Sequence, residues 1–302
     1  MEKIGVVTIT YNSEDVLQCF LKDLIEQRYQ NFILYIIDNG STDNTRSILN
    51  NISDKRIKIS INRNNLGVAQ ANNQGIKKAL NDGCDQILIM NNDVEFEPHL
   101  IDKLLSVQKK KNASLVAPKI MYYANPDIIW YAGSKFNKWK GFLPIHTGID
   151  TIDNGYYDSI CKVEYAPTCC LLIKKKVFED VGFMDEKYFV YFDDTDFCYR
   201  ILHHKDHDIY YAPNIKFYHK VGSLTKSFVK MNKKVYRGNF FIQQTVRNHI
   251  YFLKKIGGLY SIIYIFFLFF INNIRFLVNP KIKKNFSTFL LINQSYFKGI
   301  FL

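Results

Sequence analysis

No aspartate or glutamate occurs after Asp208: residues 209–302 hold 15 Lys or Arg and no acid, whereas residues 1–208 hold 25 basic residues against 28 acidic ones. The formal net charge of +12 therefore belongs to the tail, and the chain has two electrostatic halves. Cysteine is sparse and scattered. Cys19, Cys84, Cys161, Cys169, Cys170 and Cys198 form no C-x-x-C pair, which argues against a zinc site and predicts reduced, mostly buried thiols. No apolar run follows a basic start; Met1-Glu2-Lys3 leads directly into a β-like run, so neither a signal nor a transit peptide is expected and the sequence reads as cytosolic. G-x-G-x-x-G is missing after the first β-like run and G-x-x-x-x-G-K-[ST] is missing throughout, which excludes the usual dinucleotide and P-loop phosphate cradles. Internal repeats are absent as well.

Core material is plentiful. With 47% hydrophobic and 15% aromatic residues, 302 residues suffice for one principal domain with an appendage. The first 120 residues alternate short apolar runs (4–10, 32–38, 56–62, 86–90 and 114–118) with helical patterns, as a doubly wound α/β sheet requires. Ser13 is placed to cap a helix with Val16, Leu17, Phe20, Leu21 and Leu24 on its apolar face; further helices fit 68–80 and 98–110. Residues 122–165 resist a periodic reading and are expected to be irregular or antiparallel. After them come a strand near 170–173, a helix from about 175, an acidic loop, a helix near 196–204 and a strand near 208–212.

Ligands of open α/β sheets bind outside the carboxyl ends of the strands. Polar clusters fall at four such ends: "TYN" (10–12), "DNGSTDNT" (38–45), "NRNNLG" (62–67) and "NNDVE" (91–95). Any one alone is ordinary turn chemistry; four in register point to one pocket. A carboxylate repels phosphate, but Asp93 can bind a divalent cation that in turn binds a diphosphate, and Mg2+ or Mn2+ prefers such oxygen ligands. A second acidic cluster, Asp193, Asp194 and Asp196, sits beside Tyr191 and Phe192, where a carboxylate can be kept dry enough to serve as a base. The plain alternative is that Asp194 or Asp196 caps the helix that follows. His219, beyond a later strand, fits a metal ligand if it lies beside Asp93.

In their order, "TYN", "DNGSTDNT", "NLGVAQANNQGI" (65–76), "NNDVE", "VGFMDEKYFVYFDDTDFCYR" (181–200) and the His-to-Gly-Ser motif of "HKVGS" (219–223) resemble the family 2 glycosyltransferases of the GT-A fold, within them the bacterial rhamnosyltransferase-like branch. The resemblance covers about residues 3–227. It implies a Rossmann-like, mostly parallel sheet flanked by helices, and inverting transfer of a sugar from a nucleoside diphosphate donor, dTDP or UDP, with Mg2+ or Mn2+. By the same resemblance Asp38 contacts the nucleotide base, Thr10, Tyr11, Asn12, Asn65 and Asn92 line the nucleotide pocket, Asp93 and His219 hold the metal, and Asp194 is the catalytic base. Asn91 stands where the family's D-x-D has its first Asp, Asp193 replaces a Glu, and Thr168 occupies a place where Gly is common. Rhamnose is the first donor sugar implied, and the acceptor is a hydroxyl of a cell-surface glycan or lipid-linked molecule.

Residues 1–227 thus read as the catalytic domain, with a nucleotide half to about 120 and an acceptor half beyond, and 228–302 as a basic, apolar helical extension. The 13-residue run 259–271 is short of the roughly 20 residues that span a bilayer and is flanked by Lys254, Lys255, Arg275, Lys281, Lys283 and Lys284. This favours an interfacial helix pair on an anionic membrane surface at its cytoplasmic face, peripheral or monotopic, ahead of a spanning helix over about 256–278. Two rival functions compete with transfer. A sugar-nucleotide nucleotidyltransferase would want basic residues after the first strand, where "TITYNSEDV" has none. A basic nucleic-acid-binding protein would want spaced aromatics rather than "IIYIFFLFFI", so no nucleic-acid partner is expected.

Overall fold

The computed structural model describes residues 2–220, 228–231 and 234–302. Ile4–Thr10 (β1) and Phe32–Asp38 (β2) pair in parallel, in register from Ile4↔Phe32 to Thr10↔Asp38. Ile57–Ile61 (β3) joins β2 and Gln86–Met90 (β4) joins β1, again in parallel. Leu17–Ile25 (α1), Thr45–Asn50 (α2) and Val68–Asn81 (α3) make the crossovers. Strands covered on both faces need unbroken apolar runs, and β4 is buried at every position. Gly75 lets α3 lie hard against β1: a Cβ there would sit 2.5 Å from Val7 Cγ1.

Val94–Phe96 (β5), Leu100–Lys111 (α4), Leu115–Tyr122 (β6) and Ile129–Tyr131 (β7) follow. Ser134–Asn137 (β8) and Leu143–His146 (β9) form an antiparallel hairpin, so part of the stretch that resisted a periodic reading is antiparallel. Cys161–Val163 (β10), Cys170–Lys174 (β11), Lys175–Asp180 (α5), Asp193–Leu202 (α6) and Ile209–His219 (β12) complete the body. The sheet runs β10-β12-β6-β11-β4-β1-β2-β3, with β5 on β12 and β7 on β6. β11 is antiparallel to both its neighbours, while β6 and β12 are parallel to each other. All six cysteines are free; Cys19 and Cys161 are exposed and the other four buried.

Two local expectations change. The first helix begins at Leu17, not after Ser13; the Ser13 carbonyl accepts from the Val16 and Leu17 amides, while its hydroxyl is spent elsewhere. Asp193 and Asp194, expected in a loop before a helix near 196, lie with Asp196 inside the first turn of α6, and its N-cap, Phe192, has no side-chain capping bond, so the capping alternative does not hold.

Beyond a short hairpin, Phe228–Met231 (β13) with Lys234–Arg237 (β14), the tail folds as Asn239–Ile256 (α7), Gly258–Val278 (α8) and Phe286–Phe301 (α9). One side of α7 packs Ile250 and Leu253 on Leu268 of α8 and Tyr296 of α9. The other packs Tyr251 and Phe252 on Tyr188 and Phe192 of the body. At 21 residues α8 is long and apolar enough, by length and composition, to cross a membrane.

Candidate active site

The carboxyl ends of β1 and β2 lie side by side, and their loops are tied together. Asp38 has no exposed surface: Oδ1 accepts from the Thr10 and Ser41 hydroxyls, and Oδ2 from the Ser41 amide (3.2 Å) and Arg46 Nε (3.1 Å). Asp38 is thus the hub of this loop rather than a displayed group. Display falls to Tyr11, 43% exposed, beside Asn12, which takes a left-handed φ of 51° and accepts from the Thr42 amide at 2.8 Å. Asn65 Oδ1 accepts from Asn39 Nδ2 and the Gly67 amide, both at 2.9 Å. Gly67 (φ 86°, ψ 172°) passes so near Phe189 that a Cβ would meet its carbonyl oxygen at 2.4 Å. This locks the loop before α3 to the loop before α6.

The turn after β4 is held from two sides. Asn92 Nδ2 donates to the Ile9 carbonyl (3.0 Å) and the Ser13 hydroxyl (3.1 Å), which ties the turn to β1. β5 then pairs back on β12 with Val94 opposite His219, and the Asp93 carbonyl accepts from the Lys220 amide (2.9 Å). The result is Asp93 Oδ1 3.4 Å from His219 Nε2, both side chains nearly buried. Two cis ligands of an octahedral ion with bonds of ~2.1 Å stand about 3.0 Å apart, so a carboxylate and an imidazole at this separation fit one edge of a divalent cation. The remainder of the "HKVGS" motif, residues 221–223, lies outside the described residues. A further ligand-capable group, Asp180, His204 and His207, gathers beyond the far end of α6, where Asp180 is already paired with Lys176 and His207.

The structure separates the three acids by their surroundings. Asp196 is paired with Arg200 (2.9 Å) and Lys255 (2.7 Å). Asp193 is buried, and burial and then the charge of Asp194 push its pKa far up. Asp194 Oδ2 accepts from the Tyr165 hydroxyl at 2.7 Å. Burial raises its pKa, while the bonds from Tyr165 and Thr195 and the nearby His146 pull it part of the way back. A carboxylate so placed is partly screened from water and oriented by a phenol, as a general base requires.

An aromatic path joins the two acidic groups. Trp130 stands edge-on to both His219 (5.1 Å between ring centroids) and His146 (4.9 Å), and His146 stacks on Tyr165 (5.8 Å). The His146 pKa is lowered by burial. Its Nδ1, 3.1 Å from the Trp130 carbonyl, must carry the proton, which leaves Nε2 as an acceptor. Asp93 and Asp194 thus stand at the two ends of one continuous line of contacts, through His219, Trp130, His146 and Tyr165. The sequence leaves open whether the aromatics of 130–142 line the sugar site or fill core; Trp130 joins this site, Tyr131 is core, and Trp139 is 84% exposed. Sequence reading gave Ser13 only as a helix cap and missed His146 and Tyr165; none stands in a motif, and only the fold brings them together.

Residues 5–182 fit the family model described as Glycosyl transferase family 2. Over 267 residues the chain is 26% identical to the dTDP-rhamnosyl transferase RfbF of Shigella flexneri, spanning 84% of this chain and 83% of that one. It is 23% identical over 201 residues to the low-salt glycan biosynthesis hexosyltransferase Agl10 of Haloferax volcanii, covering 66% of this chain and 62% of Agl10, less than two thirds of that relative's length. In fold it resembles GalNAc-T7, solved with UDP, GalNAc and Mn2+, with a TM-score of 0.62 at 12% identity over 84% of this chain and 48% of that one. With more than half of its residues inside the family model and its sheet built as the GT-A fold, the chain belongs to glycosyl transferase family 2.

Proposed function

We propose that the chain is an inverting hexosyltransferase, with dTDP-rhamnose as the first donor to try and UDP-sugars next, acting on a hydroxyl of a cell-surface glycan or lipid-linked acceptor. The observation that carries this reading is the pair of unlike carboxylates at the two ends of one aromatic path: Asp93 beside an imidazole, Asp194 partly buried and bonded to Tyr165. A sugar hydroxyl is a weak nucleophile at neutral pH. Asp194 takes its proton as the oxygen bonds to the anomeric carbon, the bond from that carbon to the diphosphate oxygen breaks, and the diphosphate leaves with the electron pair. The attack comes from the face opposite the leaving group, so the anomeric centre inverts and one base suffices. Asp93 and His219 would hold Mg2+ or Mn2+, which when bound supplies positive charge to the departing diphosphate. Thr10, Tyr11, Asn12, Asn65 and Asn92 shape the nucleotide pocket, the last by fixing the turn that carries Asp93. A direct base contact by Asp38 requires Ser41 or Arg46 to yield one of its oxygens.

The tail supplies the localisation. Leu259, Ile262, Phe266, Phe267, Phe270 and Ile274 of α8 are exposed, a contiguous apolar surface larger than a soluble monomer usually shows. Lys281 and Lys283 beyond α8 and Lys298 on α9 add charge that favours anionic headgroups, on the order of 1 kcal/mol each. Because α7, bonded to the body, packs along α8, the reading is a helix lying in the interface at the cytoplasmic face rather than one crossing the bilayer.

A panel of nucleotide sugars, with and without Mn2+, tests the activity through release of nucleoside diphosphate and labelling of lipid-linked acceptor. Release from one donor that depends on the acceptor is expected. Formation of a nucleotide sugar from a nucleoside triphosphate and a sugar phosphate would instead make it a nucleotidyltransferase.

A further inference from the structure

The turn that aims Asp194 is not held by its own sequence. Tyr191 and Phe192 both adopt left-handed conformations (φ 64° and 70°), which bulky residues keep only when the surroundings impose them. The element that imposes them is α7. Asn248, with no exposed surface, donates from Nδ2 to the carbonyls of Val190 and Tyr191, both at 2.9 Å. Its Oδ1 accepts from Arg247 Nε (2.8 Å), and Arg247 Nη2 reaches the Lys187 carbonyl (3.0 Å). The Phe192 ring stacks on His249, with centroids 5.4 Å apart, and also meets Phe252 at 5.9 Å. Two turns along, Lys255 Nζ bridges Asp185 (2.8 Å) and Asp196 (2.7 Å), the latter two residues from Asp194 in the same helical turn. Residues 248, 252 and 255 recur at the spacing that puts them on one face of a helix.

We propose that α7 is a positioning clamp: Asn248 sets the Tyr191–Phe192 turn, Lys255 fixes the first turn of α6 from the other side, and together they aim Asp194 at the acceptor hydroxyl. The inference rests on the reading of Asp194 as base. It gives the C-terminal extension a part in catalysis besides attachment, because the helix that carries α8 and α9 also sets the catalytic base. It also assigns a purpose to a buried amide in a helix interior, where Asn is otherwise unfavourable.

The test compares full-length wild type with Asn248→Ala, Lys255→Ala and Asp194→Asn, measuring kcat for transfer across pH and donor affinity by calorimetry. A misaimed base loses turnover and leaves donor binding alone; a misplacement of about 1 Å is enough for roughly 100-fold. Asn248→Ala should therefore lose about 10- to 100-fold in kcat with donor affinity unchanged, and Lys255→Ala should lose less. The acid limb of kcat should also move to lower pH. Asp194 accepts from Tyr165 and feels the charges of His146, Asp193, Cys169 and Cys198 in a partly buried setting, and a loosened turn admits more water and restores an ordinary carboxylate. Unchanged kcat and acid limb in Asn248→Ala, beside an inactive Asp194→Asn, would overturn the clamp and leave the base standing. Donor affinity falling together with kcat would also overturn it, as the mark of general damage. An active Asp194→Asn removes the base and the clamp with it. If Asn248→Ala does not fold, Lys255→Ala decides: wild-type kcat and pH profile there refute the clamp.

Discussion

Replacing Asp194 by Asn separates chemistry from stability, because the carboxylate proposed as the base also burdens the folded state. The amide keeps an oxygen for the 2.7 Å bond from Tyr165, so the site keeps its shape while losing a group that can take a proton. General-base loss is worth about 10²- to 10⁴-fold in turnover, or roughly 3–5 kcal/mol of barrier. Stability should move the other way. Burial raises the folded pKa of Asp194 above its unfolded value, so ionisation disfavours the folded state. That deficit is absent below the unfolded carboxylate pKa, grows as pH rises to the folded pKa, and is constant above it. An amide has no such deficit, and it also frees Asp193 from a neighbouring charge that raises its own pKa. Asp194→Asn should therefore melt at or above the wild-type temperature at pH 7, and the two proteins should converge at pH 3 to 4. Thermal melts at both pH values, run beside initial rates of transfer, give the comparison. Near wild-type transfer would falsify the base assignment, and a clearly lower melting temperature at pH 7 would show that the carboxylate is structural.

Asp93→Asn should abolish the gain in donor affinity that Mn2+ confers, seen by calorimetry with and without the ion, whereas Asp194→Asn should retain it; equal Mn2+ effects in wild type and Asp93→Asn would remove Asp93 from the metal site. Gly67→Ala should cost about 3 kcal/mol or more in denaturant unfolding, since φ 86° with ψ 172° is a region almost confined to glycine and the new Cβ meets the Phe189 carbonyl at 2.4 Å. A loss under about 1 kcal/mol would mean the two loops part easily. Full-length protein should sediment with anionic vesicles at low salt, and Phe266→Asp with Phe270→Asp should release it; wild type left in the supernatant would rule out attachment through the tail.

The strands most legible in the sequence are those bounded by a change from apolar to polar side chains. β1, β2 and β4 fall on the residues expected, because each apolar run ends where the chain leaves the sheet. β6 and β12 run on further than expected, for reasons that are not local. Lys119 reads as the end of a strand, yet it lies within β6, almost fully buried, because Asp153 and Asp158 arrive from 34 and 39 residues away to neutralise it. Pro213 and Asn214 read as a turn after residue 212, yet β12 absorbs them as an irregularity in its pairing with β6, between Ala212 and Lys216, and continues to His219. That continuation delivers His219 to Asp93.

At the site itself, strand-end clusters were legible because a parallel sheet brings all its carboxyl ends to one edge. What local sequence could not contain is the difference among Asp193, Asp194 and Asp196, three like residues within four positions. The distinction comes from Tyr165, 29 residues earlier, which claims Asp194, and from Lys255, 59 residues later, which claims Asp196. The same fact revises the meaning of the basic tail. Lys255 faces two aspartates of the body, Lys254 reaches the Ile300 carbonyl, and Lys284 bonds to the Phe276 and Asn279 carbonyls at the end of α8. Part of the charge that sequence assigns to lipid thus braces the tail against itself and against the acidic half of the chain. The two electrostatic halves meet at α7, where Lys255 of the basic tail neutralises Asp196, two residues from the carboxylate proposed as base.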